Sequence, residues 1–391
     1  VLFGDGNFDY RDNLGTGVGN WVPPYEEEGS TYDEWFVRVS GDDELADIAV
    51  GRIPVRSSAE AAVVVNKLIA YDGEPEQGPW RGRILVGADD TYNADVRDRV
   101  EIEFLTDAEK LVAGLPVDFD IDKLYLVDFP REGRYKPRAR DAFVESFNRG
   151  ALLLTWVGHG NSQVFSHEHI FELSRDLQAL SNGRRVPLVY GAASQLGVFD
   201  DPARDSLPEA LLKWKQGGAI AMIAATRVGF HASNMELATH FHDRLLRADR
   251  PPVPIGQALL EAKLRTDSNP ENIRRFSLFG DPATRLAVPE LTVQIEVADT
   301  MRALEMTQVR GRITRGGTLV PQFDGNVRLQ VFDSSAIRRR SEQGETLEYE
   351  RPGGTLFRGV YPVTSGHFSV DFLVPRDITY RGNAARVSAI A

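Results

Sequence analysis

Three short stretches hold residue types that could work together on a carbonyl group. Gly158-His159-Gly160 ends the apolar run "ALLLTWVGHG", Asp89-Asp90 ends "RILVGADD", and Ser194 follows "VPLVYGAA". An acid, an imidazole and a hydroxyl are the parts of an orienter, base and nucleophile arrangement. Gly160 lets a substrate backbone come close. The N–H groups of Gly160 and Ser194 are candidate oxyanion donors, because helices are expected to start soon after both loops. Each stretch also has a plainer reading. Gly-His-Gly is a tight strand exit, Asp-Asp a solvated cap or incidental cation site, and Ser after Ala-Ala a helix cap. The order acid, His, Ser matches no common serine-hydrolase spacing, and the chain has no Gly-x-Ser-x-Gly elbow.

These residues meet only if their strands lie side by side and run parallel. The pattern supports this. Residues 1–75 open with the strand "VLFGDG" and a polar, glycine-rich stretch to about Asp43. The strand-like "LADIAVGRIPV" follows, then the amphipathic helix "SAEAAVVVNKLIAYDG", capped by Ser57 or Ser58. After the connector "GEPEQGPW", strands and helices alternate over residues 76–290. "RILVGADD", "DKLYLVDF", "ALLLTWVGHG", "RVPLVYGAAS" and "AIAMIAAT" are the strands. "VEIEFLTDAEKLVAGLP" (from Val100), "PRARDAFVESFNRG", "FELSRDLQALSNG", "LPEALLKWKQGG", "MELATHFHDRLLRA" (to Ala248) and "PIGQALLEAKLRT" are the helices. Strands this apolar, separated by helices, predict an α/β fold with a mostly parallel sheet covered on both faces. Ligand sites in such sheets lie beyond the strand C-termini. At "FSLFGDPATRLAVPE" the pattern changes. Residues 291–391 read as alternating strands with turn signals between several of them, a β-sandwich.

Bulk properties narrow the class. The 391 residues suffice for two or three domains. Hydrophobic content of 42% and charged content of 26% are ordinary for a soluble globular protein. A net charge of −12 argues against nucleic acid as a partner. No apolar run approaches the ~20 residues of a membrane helix. The opening "VLFGDG", with no signal peptide before it, reads as an internal strand, so a fragment of a longer protein is expected. The absence of cysteine removes disulfides and thiolate metal sites, and it is also what replacement of a functional cysteine would leave.

"LLLTWVGHGNSQVF", the "AAS" position 35 residues after His159, "VFDDP" and "GGAIAMIAATR" resemble the gingipain-type cysteine peptidases. "VLFGDGNFDYRDN", "DIAVGRIPV", "WRGRILVGADD", "FSLFGDPATRLAVP", "FDGNVRLQVFD" and "GHFSVDFLVPRDITY" (to Tyr380) resemble the sortase branch of that family, which serves type IX secretion. The resemblance implies a caspase-like α/β region in two subdomains, 1–75 and 76–290, followed by an immunoglobulin-like sandwich over 291–391. It implies His159 as general base and Asp89 as the acid that orients it, with Asp90 as rival. It puts the family's nucleophilic cysteine at position 194, here serine, or at Ala193 if the loop is shifted by one. Such a serine is an engineered trap, a natural variant, or the mark of a pseudopeptidase that only binds peptide.

The resemblance further implies a substrate-pocket wall over Thr226–Asn234, with Thr226 and His231 as candidate binding residues. Gly197–Pro202 would then shape the leaving-group side. No cofactor is required, although such folds often carry structural calcium, for which "GDGNFDY" and "VDFDID" offer oxygen ligands. The implied partners are C-terminal sorting domains of secreted cargo, outer-membrane secretion components and a glycolipid acceptor, at the outer face of the cell surface. His167 and His169 invite a zinc reading but lack a third ligand. His240 and His242, two apart on a helix, read as surface residues.

Overall fold

A computed structural model of the chain describes all residues except 43, 94–100, 248–252 and 380–384. The expected boundaries at Asp43, Val100, Ala248 and Tyr380 lie outside the described residues. The chain divides into two compact units, Val1–Ala287 with Ser341–Glu345, and Val288–Arg340 with Thr346–Ala391.

The first unit is built on an eight-stranded sheet. Its strands are β1 (Leu2–Phe3), β2 (Arg52–Ile53), β3 (Arg83–Ala88), β4 (Asp120–Tyr125), β5 (Leu153–Val157), β6 (Leu188–Ala192), β7 (Ala221–Ala225) and β8 (Phe276–Phe279). Across the sheet they run β1-β2-β8-β7-β6-β5-β3-β4. Every pairing is parallel except β7 with β8. β3, β5, β6 and β7 are buried along their whole length, which is why their sequences are near-continuous apolar runs. The main helices are α1 (Ser58–Gly73), α2 (Glu103–Ala113), α3 (Pro137–Arg149), α4 (Leu207–Lys213), α5 (His231–Leu246) and α6 (Ile255–Arg265). Ser57 caps α1, accepting the Glu60 N–H at 3.2 Å.

Residues 1–75, expected as an N-terminal subdomain, share the compact unit of residues 76–287. β1 and β2 extend the same sheet, and fully buried Arg52 ties the polar stretch before it to that sheet. Its guanidinium donates to both Asp33 oxygens, at 2.8 and 2.6 Å, and to the carbonyls of Gly4 and Val22, at 3.2 and 2.8 Å. It also lies 4.4 Å from the Phe199 ring centroid. β8 comes from "FSLF", which in sequence marks only a change of pattern. Its antiparallel pairing with β7 makes it a strand of the first unit. The helix expected over 171–183 is shorter, a strand at Phe171–Glu172 followed by helix Leu173–Asp176 and a 3-10 turn at Leu177–Ala179.

The second unit is all β. β10 (Met306–Arg315) pairs antiparallel with β9 (Thr292–Val297), β11 (Thr318–Leu319) and β16 (His367–Leu373). β12 (Gly325–Phe332) pairs antiparallel with β15 (Thr355–Val363) and β17 (Arg386–Ile390). Val309 and Ile313, Val327, Leu329 and Val331, and Phe368, Val370 and Phe372 alternate inward from β10, β12 and β16 to form one core. A hairpin of β13 (Ala336–Glu342) and β14 (Glu345–Arg351) is absent from the sequence reading. β13 is mostly charged, and β14 turns only Leu347 and Tyr349 inward. Its turn is Gln343-Gly344, both at positive φ, as a two-residue hairpin loop requires.

Candidate active site

Register brings the three stretches together. Ala88 of β3 pairs with Val157 of β5, and Val157 pairs with Ala192 of β6, so the three strands finish level. Asp89 is one residue past that line, and Asp90, His159 and Ser194 are each two past it. The Gly158 N–H donates to the Ala192 carbonyl at 3.4 Å, which keeps the two loops adjacent as they leave the sheet.

Asp89 is fully buried. Its Oδ2 accepts from the His159 backbone N–H at 2.9 Å and lies 3.1 Å from His159 Nδ1. A proton on Nδ1 serves Asp89, and Nε2, the nitrogen that would exchange a proton with a substrate, faces the Glu101 carboxylate at 3.1 Å. Only glycine fits beside this pair at residue 158. Its φ is +155°, and a Cβ there would sit 2.4 Å from the Asp89 Cβ. Gly160 is equally confined, since a Cβ would meet Leu196 Cδ2 at 2.4 Å and the Val164 carbonyl at 3.1 Å.

Ser194 is half-buried. Its Oγ accepts the Gly229 N–H at 3.0 Å and donates to the Gly229 carbonyl at 3.2 Å, so the hydroxyl is held from the loop after β7. Ala193 is 1% exposed, which leaves residue 194 as the accessible member of the pair. The next residue, Gln195, has φ +55°, an uncommon conformation for a non-glycine that turns the chain sharply after the serine. The backbone N–H groups of Gly160 and Ser194 have no hydrogen-bond partner among the described residues. The helix-dipole argument for them fails. The next α-helices begin only at Leu173 and Leu207.

The acid that pairs with the histidine is Asp89 and not Asp90. Asp90 forms a fully buried ion pair with Lys136, and its Oδ1 accepts the Tyr92 N–H at 2.8 Å. Burial pushes the Asp90 carboxyl up to about 6 against the opposing pull of Lys136. Lys136 Nζ also donates to the Leu126 carbonyl at 2.7 Å and lies 3.6 Å from Glu342 Oε1.

Several neighbours of His159 escape a sequence reading. Nε2 lies 3.1 Å from Glu101 Oε2, a carboxylate with 3% exposure, 58 residues away along the chain at the entry to α2. Phe104 on α2 stacks edge-on against the His159 ring at 4.9 Å and against the His231 ring at 4.8 Å. The His167 ring is 4.2 Å from that of His159. Glu168, between two histidines that drew attention for zinc, is the buried member of "SHEH" with no hydrogen-bond partner on either side-chain oxygen among the described residues. Burial first, then the charges of Asp89 and Asp90, push its carboxyl up to about 10. Only its acidic type, inside a loop directly after the Gly-His-Gly turn, signalled it.

The remaining candidates divide. His231 stays close, bonded to Asp107 Oδ2 at 2.9 Å and packed on Phe104. Thr226 does not fit a binding role. It is fully buried and its hydroxyl donates to the Thr31 carbonyl at 3.1 Å. In the Gly197–Pro202 stretch, Phe199 and Asp200 are buried, and Asp200 pairs with Arg227 and accepts the Thr31 hydroxyl at 2.8 Å. His169 turns away from His167, lying 3.1 Å from Glu172 Oε2 and 3.2 Å from Arg134 Nη2. His242 is not at the surface. It is 3% exposed, with Nδ1 on the Ala238 carbonyl at 2.6 Å and Nε2 on the Thr155 hydroxyl at 2.7 Å. Burial lowers it to about 4. In the loops expected to supply calcium ligands, Asp9 accepts two backbone N–H groups, at 2.8 and 2.7 Å, and Asp122 pairs with Arg83 at 2.6 Å.

The chain is similar to several known proteins. Gingipain R2 of Porphyromonas gingivalis is 21% identical over 305 residues, covering 73% of this chain and 39% of the relative. Gingipain R1 of Porphyromonas gingivalis is 22% identical over 285 residues, covering 68% and 27%. The chain thus spans about two fifths or less of the length of these curated relatives. Among solved structures, the Arg-specific cysteine proteinase gingipain R matches with a TM-score of 0.60 at 16% identity, covering 99% of this chain and 82% of that one. A complex of the pro- and mature domains of the Porphyromonas gingivalis proteinase RgpB matches with a TM-score of 0.59 at 17% identity, covering 99% and 84%. A sequence profile of peptidase family C25 matches residues 1–287, the continuous stretch of the first compact unit. The chain belongs to peptidase family C25, the gingipain-type cysteine peptidases.

Proposed function

We propose that the chain is the catalytic part of a type IX secretion sortase, an acyl-transfer enzyme that works on the C-terminal sorting domains of secreted cargo. The observation that carries the chemistry is the Asp89–His159 pair, its acid fully buried, set level with residue 194 beside two backbone N–H groups that have no partner among the described residues. The choice of sortase over other family C25 enzymes rests on the sequence motifs that run through both units.

With cysteine at 194, the thiolate attacks the carbonyl at the cargo junction, and the N–H groups of Gly160 and residue 194 hold the oxyanion. His159, kept in one tautomer by Asp89, gives its proton to the leaving amine, which departs with the sorting domain. An amine on a surface glycolipid then attacks the acyl-enzyme, loses its proton to His159 and frees the thiol. This work belongs at the outer face of the outer membrane, beside the secretion components. The serine makes the present chain a trap. A hydroxyl of far higher pKa than a thiol cannot form the thiolate–imidazolium pair, and it is already hydrogen-bonded to Gly229. The sandwich is proposed to be immunoglobulin-like.

The test is a Ser194→Cys chain given a thiol-reactive probe, then a cargo tail with and without an added amine. Labelling that disappears with His159→Ala, and a product joined to the amine, are the expected results. Labelling indifferent to His159 would refute the dyad. Hydrolysis without transfer would favour a gingipain-type endopeptidase. Turnover by the unaltered serine chain would overturn the trap, and peptide binding without turnover by either chain would make this a pseudopeptidase.

A further inference from the structure

Both working atoms of the proposed dyad are engaged elsewhere in this structure. Ser194 Oγ is held by the N–H and carbonyl of Gly229, at 3.0 and 3.2 Å. His159 Nε2 faces Glu101 Oε2 at 3.1 Å, while Nδ1 faces Asp89 Oδ2 at 3.1 Å. A carboxylate sits stably against Nε2 only with a proton between the two atoms. Whichever atom holds that proton, the Nε2 lone pair is committed and cannot take one from residue 194. Two carboxylates against one imidazole also leave no positive charge for a thiolate to pair with.

The position of Glu101 is fixed from both sides. Its backbone N–H donates to the Thr91 carbonyl at 3.3 Å, in the loop that leaves β3 with Asp89 and Asp90. On the other side, α2 carries Phe104, whose ring stacks edge-on against His159 at 4.9 Å and His231 at 4.8 Å. Further along α2, Asp107 Oδ2 lies 2.9 Å from His231 Nε2. Residues 101, 104 and 107 thus set two carboxylate–imidazole pairs on either side of one aromatic ring. Glu101 is 3% exposed, so water screens its pair with His159 little.

We infer that Glu101 is an autoinhibitory latch on His159: its carboxylate holds Nε2 in the resting chain and has to swing away before the imidazole can serve residue 194. The inference rests on the reading of residue 194 as the nucleophile's place. With the carboxylate displaced, Nε2 takes the proton of a cysteine at 194, and the sulfur is left as the thiolate. An entering peptide therefore does two things, presenting its carbonyl and displacing Glu101.

The pairing is tested on the unaltered serine chain, where no nucleophile is needed. In ¹⁵N-labelled protein, the Nε2 resonance of His159, assigned by its loss in His159→Gln, should show a hydrogen-bonded proton. That signal should shift markedly in Glu101→Gln, and an unchanged signal would overturn the pairing. The latch is tested with Ser194→Cys and a small thiol-reactive probe. Adding Glu101→Gln, which keeps the side chain's size and removes its charge, should raise the labelling rate about tenfold. Loss of a merely structural contact would lower the rate or leave it alone, and either result rejects the latch. If Glu101→Gln does not fold, Glu101→Asp takes its place, with a carboxylate one methylene further from Nε2 and a rise again expected. Labelling absent from both chains rejects residue 194 as the nucleophile, and the latch with it. Labelling present but not accelerated rejects the latch alone.

Discussion

Asp89 Oδ2 meets His159 twice, through the backbone N–H at 2.9 Å and through Nδ1 at 3.1 Å. One carboxylate oxygen therefore sets both the position of the histidine's backbone and the direction of its ring. In the Ser194→Cys chain, Asp89→Asn should cut the rate of thiol-probe labelling by about 10²-fold or more, within the range of a mis-set general base. The fold should persist, because an amide oxygen can still accept the backbone N–H. Unchanged labelling would remove Asp89 from the site.

Gly158 is the covalent partner of this geometry. An alanine there would carry a side chain at φ +155° and put its Cβ 2.4 Å from that of Asp89. Gly158→Ala should cost about 2 kcal/mol or more in denaturant unfolding and abolish His159-dependent labelling. A near-neutral substitution would mean that the loop relaxes and the Asp89 contact is not tight.

Arg52 tests whether the first 75 residues belong to the main unit. Arg52→Met strands Asp33 without its buried partner and removes donors from the Gly4 and Val22 carbonyls. Breaking a buried pair of this kind costs about 3–5 kcal/mol. The expected result is one cooperative transition at lower denaturant concentration. Selective loss of the N-terminal stretch, seen as early proteolysis before residue 58 with the remainder intact, would restore the idea of a separable subdomain.

His242 sets an acid limit on stability. Burial lowers its folded pKa to about 4 from the ordinary 6.5, so the folded state keeps the ring neutral where the unfolded state takes up a proton. Its contribution is complete above pH 6.5 and is lost as pH falls from there toward 4, below which it levels off. Each pKa unit is 1.36 kcal/mol, so the loss is about 3 kcal/mol. The double variant Thr155→Val/His242→Leu removes both hydrogen-bond partners and should flatten stability over that window. An unchanged slope would assign the acid sensitivity to other groups.

How much of this was legible without coordinates depends on the range of each interaction. The parallel strands, the helices and the onset of the β unit were readable because burial on both faces writes unbroken apolar runs and an open sandwich writes alternation. α1 appears over its expected residues because Val64, Leu68 and Tyr71 are buried at helical spacing behind the Ser57 cap. The charged hairpin at β13 and β14 wrote no such pattern, and β8 is too short to separate from a loop.

The sequence by itself determined that an acid pair, a Gly-His-Gly turn and a serine each end an apolar strand, and it carried the family signature. Only the tertiary structure decided which acid faces the histidine, because Asp89 and Asp90 are neighbours in the chain with opposite surroundings. One meets His159 and the other Lys136, 46 residues further on. The same holds for Glu101, Phe104 and Glu168, whose roles come from strand register and loop packing. Residue type and local spacing fix what a side chain can do. Burial and distant partners fix what it does.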